Sequence, residues 1–316
     1  MKRILTFLCA LLLLLPTACA PVSGQPACVI VTTTYPTYLL TCALTRGLEH
    51  VQVERLNTGS VSCLHDYTLS VTDMKRIDRA NVLVLSGAGL EDFMDDALAQ
   101  STAEVIDCSA HAYLLPSAGH GDHDHHDHEH GHFDPHYWLD PVNAAAMTDA
   151  LLEGLLPLLK GQEPLLQANA ATARTALLAC DTQLQQVRTQ TGALPGLISF
   201  HDGFAYLAHA CNVPVLRSIE EEAGSEASAR EIVEVSALVR DNHIPLIFTE
   251  INGSDATAKA IARETGCDLA CLSTLMDGPD AEDLSSTPEE YYASEIMGNA
   301  ATLINGLAGR EVVHPT

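Results

Sequence analysis

The sequence predicts an α/β protein of two lobes, each a four-stranded parallel sheet flanked by helices, with one long helix between them. Three observations carry this. Short β-branched, apolar runs alternate with amphipathic stretches in both halves of the chain, and strand–helix alternation makes parallel sheets because each crossover helix returns the chain to the same edge. Residues 163–191 separate the two sets as one run rich in Ala, Leu and Gln and nearly free of Gly and Pro. With 316 residues and 47% hydrophobic composition, the chain has enough apolar material for two cores.

In the first half, strands are expected at 29–33, 51–56, 81–85 and 105–107. The helices between and after them are expected at 35–48, where Pro36 suits a first turn, at 66–80, where Met74, Ile77 and Ala80 recur at helical spacing, and at 90–99. A further helix at 143–159 follows from Met147, Leu151, Leu152, Leu155, Leu156 and Leu159, and ends at Lys160 and Gly161. The run 163–191 spans roughly 40 Å at the helical rise, the width of a domain. It reads as a strut, because its apolar spacing is loose and sustains no a/d heptad. Beyond Gly192, strands are expected at 196–200, 213–215, 244–249 and 268–272, with helices at 203–210, 229–241, 256–265 and 289–307. The expected division is a signal segment at 1–19, an N-terminal lobe at 28–161, a linker helix at 162–192 and a C-terminal lobe at 193–311.

Lys2 and Arg3 precede an apolar run at 4–15, then Pro16, Thr17, Ala18 and Cys19. This is the layout of an export signal with a small-residue cleavage site. It resembles a bacterial lipoprotein signal, with Cys19 as the lipidated residue, although Pro16 stands where that pattern prefers Leu. Lys plus Arg number 16 against 41 Asp plus Glu, a net charge of −25. Such a balance argues against nucleic acid and anionic membrane as partners and suits a surface that handles cations. Cys9 and Cys19 fall in the signal. The other eight, Cys28, Cys42, Cys63, Cys108, Cys180, Cys211, Cys267 and Cys271, show no C-x-x-C pair, so a thiolate zinc cage is not indicated, and in an oxidising compartment up to four disulfides are arithmetically open.

Two kinds of histidine meet between residues 120 and 141. His120, His123, His125, His126, His128, His130 and His132 are interleaved with Asp122, Asp124, Asp127 and Glu129. A tract with no apolar residue cannot offset the entropy of ordering itself. Neutral imidazole ligates divalent metals and the carboxylates favour a cation, so weak, multiple, exchanging metal binding is expected. The plain alternative is a solvated acidic linker. Asp134, Pro135, His136, Tyr137, Trp138, Leu139, Asp140 and Pro141 differ, mixing rigid, aromatic and charged groups around the only Trp, and read as a fixed site.

Functional groups in parallel sheets gather in the loops after the carboxyl ends of strands. Four candidate ligands stand there: His65 after the second strand, His136 after the fourth, His201 directly after the strand at 196–200, and Asp277 after the last. Each alone reads equally as a surface or turn residue. Two from each half is the arrangement expected of a metal held between lobes. Cys63, two residues before His65, is a further candidate, with a buried or bridged thiol as its plainer reading.

With these residues in place, the chain resembles the zinc- and manganese-binding solute-binding proteins of bacterial ABC transporters, the ZnuA/TroA-like family. DPHYWLDPVNA at 134–144 and HDGFAYLA at 201–208 resemble the segments that hold the family's second and third histidines. LHDYTLSVTD at 64–73 keeps His65, Tyr67 and Asp73, with Leu64, Leu69 and Val71 where the family usually has prolines. FTEIN at 248–252, IARETG at 261–266 and the Asp277–Gly278 turn match the C-terminal portion. The resemblance implies a rigid linker helix that limits hinge closure. It also implies a ligand set of His65, His136 and His201 completed by Asp277 or water. Zn2+ is favoured over Mn2+, because manganese members tend to place a carboxylate at the position of His201 and zinc members often carry a His-rich loop. It further implies an extracytoplasmic, non-enzymatic protein, lipid-anchored or periplasmic and monomeric, that works with a membrane permease.

Two rival readings come from other classes. Three histidines and a water also make a catalytic zinc set, but a secreted zinc hydrolase would need a general base, for which Glu250 is the candidate; GxSxG does not occur, and the one HExxH spelling, HEHGH at 128–132, falls inside the histidine tract. A metal-storage or adhesive surface protein would rest on the histidine tract alone.

Overall fold

A computed structural model describes residues 28–56, 67–117, 133–219 and 228–313. The first sheet is made of β1 (Cys28–Thr32), β2 (Val51–Arg55), β3 (Val82–Leu85) and β4 (Glu104–Asp107), in the order β2-β1-β3-β4. The second is made of β5 (Leu197–Phe200), β6 (Val215–Ser218), β7 (Leu246–Glu250) and β8 (Asp268–Leu272), in the order β6-β5-β7-β8. All pairings are parallel, as predicted. In each sheet the central strands are buried on both faces, VLVL in β3 and LIFTE in β7, while the edges are part-exposed. That division explains why the central strands read as mostly apolar runs.

The order reverses direction between β1 and β3 in one sheet and between β5 and β7 in the other. At such switch points the loops leaving adjacent strands part in opposite directions and open a crevice at the carboxyl ends. His201 leaves β5 and Glu250 closes β7, so both stand at the crevice of the second sheet.

The helices are α1 (Tyr35–Thr45), α2 (Val71–Arg79), α3 (Asp95–Gln100), α4 (Pro141–Leu155), α5 (Glu163–Thr191), α6 (Ala205–Cys211), α7 (Ala229–Asp241), α8 (Ala256–Thr265) and α9 (Pro288–Ala308). None of the described helices is long and apolar enough to cross a membrane. Helix α5 packs on α1 and α4 of the first half and on α6 and α9 of the second. Its buried side chains include Leu166, Ala170, Ala173, Leu177, Cys180 and Leu184, which step by four and three in alternation. The strut therefore does carry a heptad-like seam, contrary to the sequence expectation. Three of its six positions are Ala or Cys, and small residues hide an apolar stripe until their neighbours are known.

Other expectations shift at their ends. Helix α2 begins at Val71, not residue 66, because Ser70 and Asp73 form a reciprocal cap and Asp73 also takes the Tyr67 hydroxyl at 2.6 Å. The helix expected at 90–99 is a short 3-10 turn, Asp92–Met94, followed by α3. Strand β6 begins at Val215, the last residue of the predicted 213–215, and runs on to Ser218. Val213 is instead spent closing α6, its N–H bonding the Ala208 carbonyl at 2.8 Å, and a register shift at Leu197/Ile198 moves the pairing on to Arg217 and Ser218. The largest buried cluster is shared by both lobes, running from Ile30, Leu39 and Leu44 through Trp138, Leu151 and Leu177 to Tyr206, Phe248, Tyr292 and Ile304. Opening the lobes would expose part of this surface at about 25 cal/mol per Å2, which favours one fixed arrangement. The described cysteines, Cys28, Cys42, Cys108, Cys180, Cys211, Cys267 and Cys271, are unbridged.

Candidate metal site

His136 opens a 3-10 turn, Tyr137–Leu139, that leads through the Asp140 cap and Pro141 into α4. Its orientation is set by Asp134. One carboxylate oxygen, Oδ1, accepts the His136 backbone N–H at 2.9 Å and lies 2.9 Å from the ring Nδ1. With the carboxylate oxygen as acceptor, Nδ1 donates to Asp134, the tautomer in which Nε2 could serve a metal. The turn is anchored by three aromatic residues. Trp138 packs its ring 5.3 Å from the imidazole, Tyr137 donates to the Ser86 carbonyl, and the Trp138 carbonyl accepts the Tyr292 hydroxyl at 2.8 Å.

His201 arrives from the other lobe in extended conformation directly after β5, with Ser199 Oγ donating to its carbonyl at 3.0 Å. Its ring lies 5.8 Å from Phe204 and 5.2 Å from the His136 ring, edge to face at 83°. Both histidines are buried. Gly203 makes this meeting possible. A Cβ there would stand 2.9 Å from His136 Cδ2 and from His201 Cδ2 and Nε2, so a side chain at this position would force one or both imidazoles to shift.

Glu250 is the third polar group of the crevice, 2% exposed. Thr274 Oγ1 donates to its Oε1 at 3.0 Å and the Asn252 N–H to its Oε2 at 2.7 Å. Burial raises its pKa, opposed by those two hydrogen bonds and, when His136 is protonated, by the charge of that nearby imidazole. A buried carboxylate near the His136 imidazole adds negative potential and favours a cation.

Asp277 is differently placed. Its carboxylate accepts the Gly278 N–H at 2.8 Å, lies 3.5 Å from the Arg55 guanidinium and is 53% exposed. Arg55, at the end of β2, also donates to the Gly278 carbonyl at 3.0 Å and lies over the Tyr35 and Tyr38 rings. Tyr35 donates to the Pro279 carbonyl at 2.8 Å. This segment of the second lobe is therefore docked on the first, with Asp277 turned to Arg55. His65, Cys63, Cys19 and the tract 120–132 lie outside the described residues. Among the described residues, no three of His, Cys, Asp and Glu converge into a complete metal shell.

The structure thus brings His136 and His201 together and gives Asp277 to an arginine. Sequence reasoning placed Asp134 in the fixed segment without a role of its own, missed Gly203, and named Glu250 only as a rival's base. The carboxylate two residues before a candidate ligand was a usable signal for Asp134. Gly203 had none, because its constraint comes from two rings brought by different lobes.

Comparison with known proteins adds independent findings. The family model described as "Zinc-uptake complex component A periplasmic", ZnuA, matches residues 30–306. The zinc-binding protein AdcA of Streptococcus pyogenes serotype M3 is 27% identical over 313 residues, 90% of this chain and 57% of that protein. The zinc-binding lipoprotein AdcA of Streptococcus pneumoniae serotype 4 is 28% identical over 282 residues, 87% of this chain and 56% of that one. The chain spans a little over half the length of these relatives. Among solved structures, ZnuA superposes with a TM-score of 0.72 at 24% identity, covering 89% of this chain and 99% of its own. The laminin-binding protein of Streptococcus agalactiae gives 0.73 at 23%, covering 89% and 99%. At these identities the superpositions speak for the fold.

Proposed function

The chain belongs to the ZnuA family of zinc-uptake components, and on that premise we propose that it captures Zn2+ between its lobes and delivers it to the permease of an ABC transporter. The observation that supports this best is the meeting of His136 and His201, one from each lobe, 5.2 Å apart between ring centres. With His65 as the third imidazole and Asp277 or water as the fourth ligand, the set is borderline-soft and suits tetrahedral Zn2+, whereas Mn2+ prefers carboxylate and water oxygens. The ion is cargo. The chain is no hydrolase in this reading: Glu250 is held by Thr274 and Asn252 and serves the site as charge.

The same reading makes the protein extracytoplasmic, monomeric and tethered through lipid on Cys19, with residues 28–161 and 193–311 as lobes and 162–192 as linker. The tract 120–132 binds further zinc weakly, because a segment with no apolar residue must meet its own ordering entropy on each binding event while ligands fixed by strand ends do not. Metal analysis and calorimetry on wild type, His65→Ala, His136→Ala, His201→Ala and a 120–132 deletion test the assignment. Each substitution should abolish the tight site, and the deletion should keep one tightly bound zinc while lowering total stoichiometry. Tight binding retained in any histidine variant removes that residue from the set.

A further inference from the structure

The chain enters and leaves residues 118–132 through a closed neck. Pro116 and Phe133 form an antiparallel bridge, and the Asp134 N–H donates to the Leu115 carbonyl at 3.0 Å. A third element grips the same neck. Tyr206 of α6, fully buried, accepts the Leu115 N–H on its hydroxyl at 2.7 Å and donates that hydroxyl to the Asp134 carbonyl at 2.9 Å. One phenol oxygen thus joins both sides of the neck to the second lobe.

The residue it grips is the one that orients His136. Asp134 uses its carbonyl for Tyr206 and its carboxylate for the His136 ring and backbone. Tyr206 itself stands five residues beyond His201, and Phe204, against which the His201 ring packs, lies between them. The short segment that supplies one imidazole therefore also fixes the support of the other. Burial raises the Tyr206 pKa, so the hydroxyl stays protonated and remains a donor.

We infer that Tyr206 is a positioning residue of the metal site: its hydroxyl locks Asp134, and through Asp134 the imidazole of His136, in register with His201. This rests on the reading of His136 and His201 as zinc ligands. Groups that act on a metal through a ligand's second nitrogen commonly change affinity by about 10- to 100-fold. Tyr206 acts one step further out, so its effect belongs at the lower end.

The test compares wild type with Tyr206→Phe, Asp134→Asn, the double variant and His136→Ala. The readouts are zinc affinity by competition with a chromophoric chelator and the visible spectrum of the Co2+-substituted protein, which reports ligand geometry. Tyr206→Phe should weaken zinc about tenfold and shift the Co2+ bands. In the double variant the loss should fall short of the product of the two single losses, since both act on one imidazole. The 15N shifts of His136 in the metal-free protein give a second reading that needs no metal: Tyr206→Phe should turn a single Nδ1-protonated tautomer into a mixture. Affinity within twofold of wild type with unchanged Co2+ bands and tautomer overturns the inference, as do losses that multiply fully in the double variant. Loss of the tight site in His136→Ala beside a neutral Tyr206→Phe overturns this inference alone, whereas retention in His136→Ala overturns the site reading beneath it.

Discussion

Trp138 and Thr274 stand 136 residues apart in sequence and are joined by one buried hydrogen bond, from the indole Nε1 to the threonine carbonyl at 2.8 Å. The same threonine donates its hydroxyl to Glu250. The turn that carries His136 in the first lobe is therefore tied to the segment after β8 in the second, and through it to the crevice carboxylate. Losing the indole N–H would leave a buried carbonyl unpaired, at a cost of about 1–3 kcal/mol.

This placement makes the only Trp a reporter of the site. Its ring centre is 5.3 Å from that of His136, so a divalent charge bound to the imidazole changes the field across a fully buried indole. Intrinsic fluorescence should change on zinc addition and saturate at one equivalent, while zinc bound later by 120–132 leaves it unaltered. In His136→Ala the first equivalent should produce no change. A signal that grows in proportion to zinc held by the tract would contradict the assignment.

Much of the fold is legible in the sequence. Helices α5, α7 and α8 and strand β8 lie where their periodicity and punctuation put them, because each is a regular element bounded by Gly, Ser, Asp or Pro. Strand β6 was misplaced because an edge strand ending in Arg217 and Ser218 carries little apolar signal, and neighbouring Val213 belongs to the end of α6. The seam of α5 was hidden by Ala170, Ala173 and Cys180. At the site, His136 and His201 were legible as residues after strands, whereas Gly203, Tyr206 and the Arg55 partner of Asp277 depend on contacts between lobes, which no local pattern encodes.

Asp277 should matter less than the histidines. Its ion pair with Arg55 involves side chains 27% and 53% exposed, and such pairs contribute at most about 1 kcal/mol. A carboxylate already shared with a guanidinium can give a metal only part of its charge. Asp277→Asn should therefore weaken zinc by about tenfold or less, against losses of more than about 100-fold for the histidine variants. Arg55→Met, which removes the competing cation and keeps a long apolar stem over Tyr35 and Tyr38, should tighten zinc by no more than about fivefold. Competition titrations measure both. Unchanged affinity in both variants would make water the fourth ligand.

Glu91 sets a dependence of stability on pH that lies outside the metal site. Its carboxylate is 4% exposed and accepts from Thr33 Oγ1 at 2.6 Å, Ser86 N at 2.7 Å and Gly87 N at 2.9 Å. Burial outweighs these three donors and, with a smaller push from Asp107, raises the pKa to about 7 from 4.5. The native state then holds this proton more tightly than the unfolded chain does. Its contribution to stability is complete below about pH 4.5 and is lost as pH rises to about 7. At about 1.4 kcal/mol per pH unit across that window, the loss is about 3 kcal/mol. Glu91→Gln has no proton to release, so it forfeits an acceptor at every pH but removes the slope. Urea unfolding of the metal-free proteins between pH 4.5 and 7.5 isolates the effect, because the histidines titrate alike in both. The stability of wild type minus that of Glu91→Gln should fall by about 3 kcal/mol over this range, and a difference that stays constant would mean that Glu91 is ionised in the folded protein throughout.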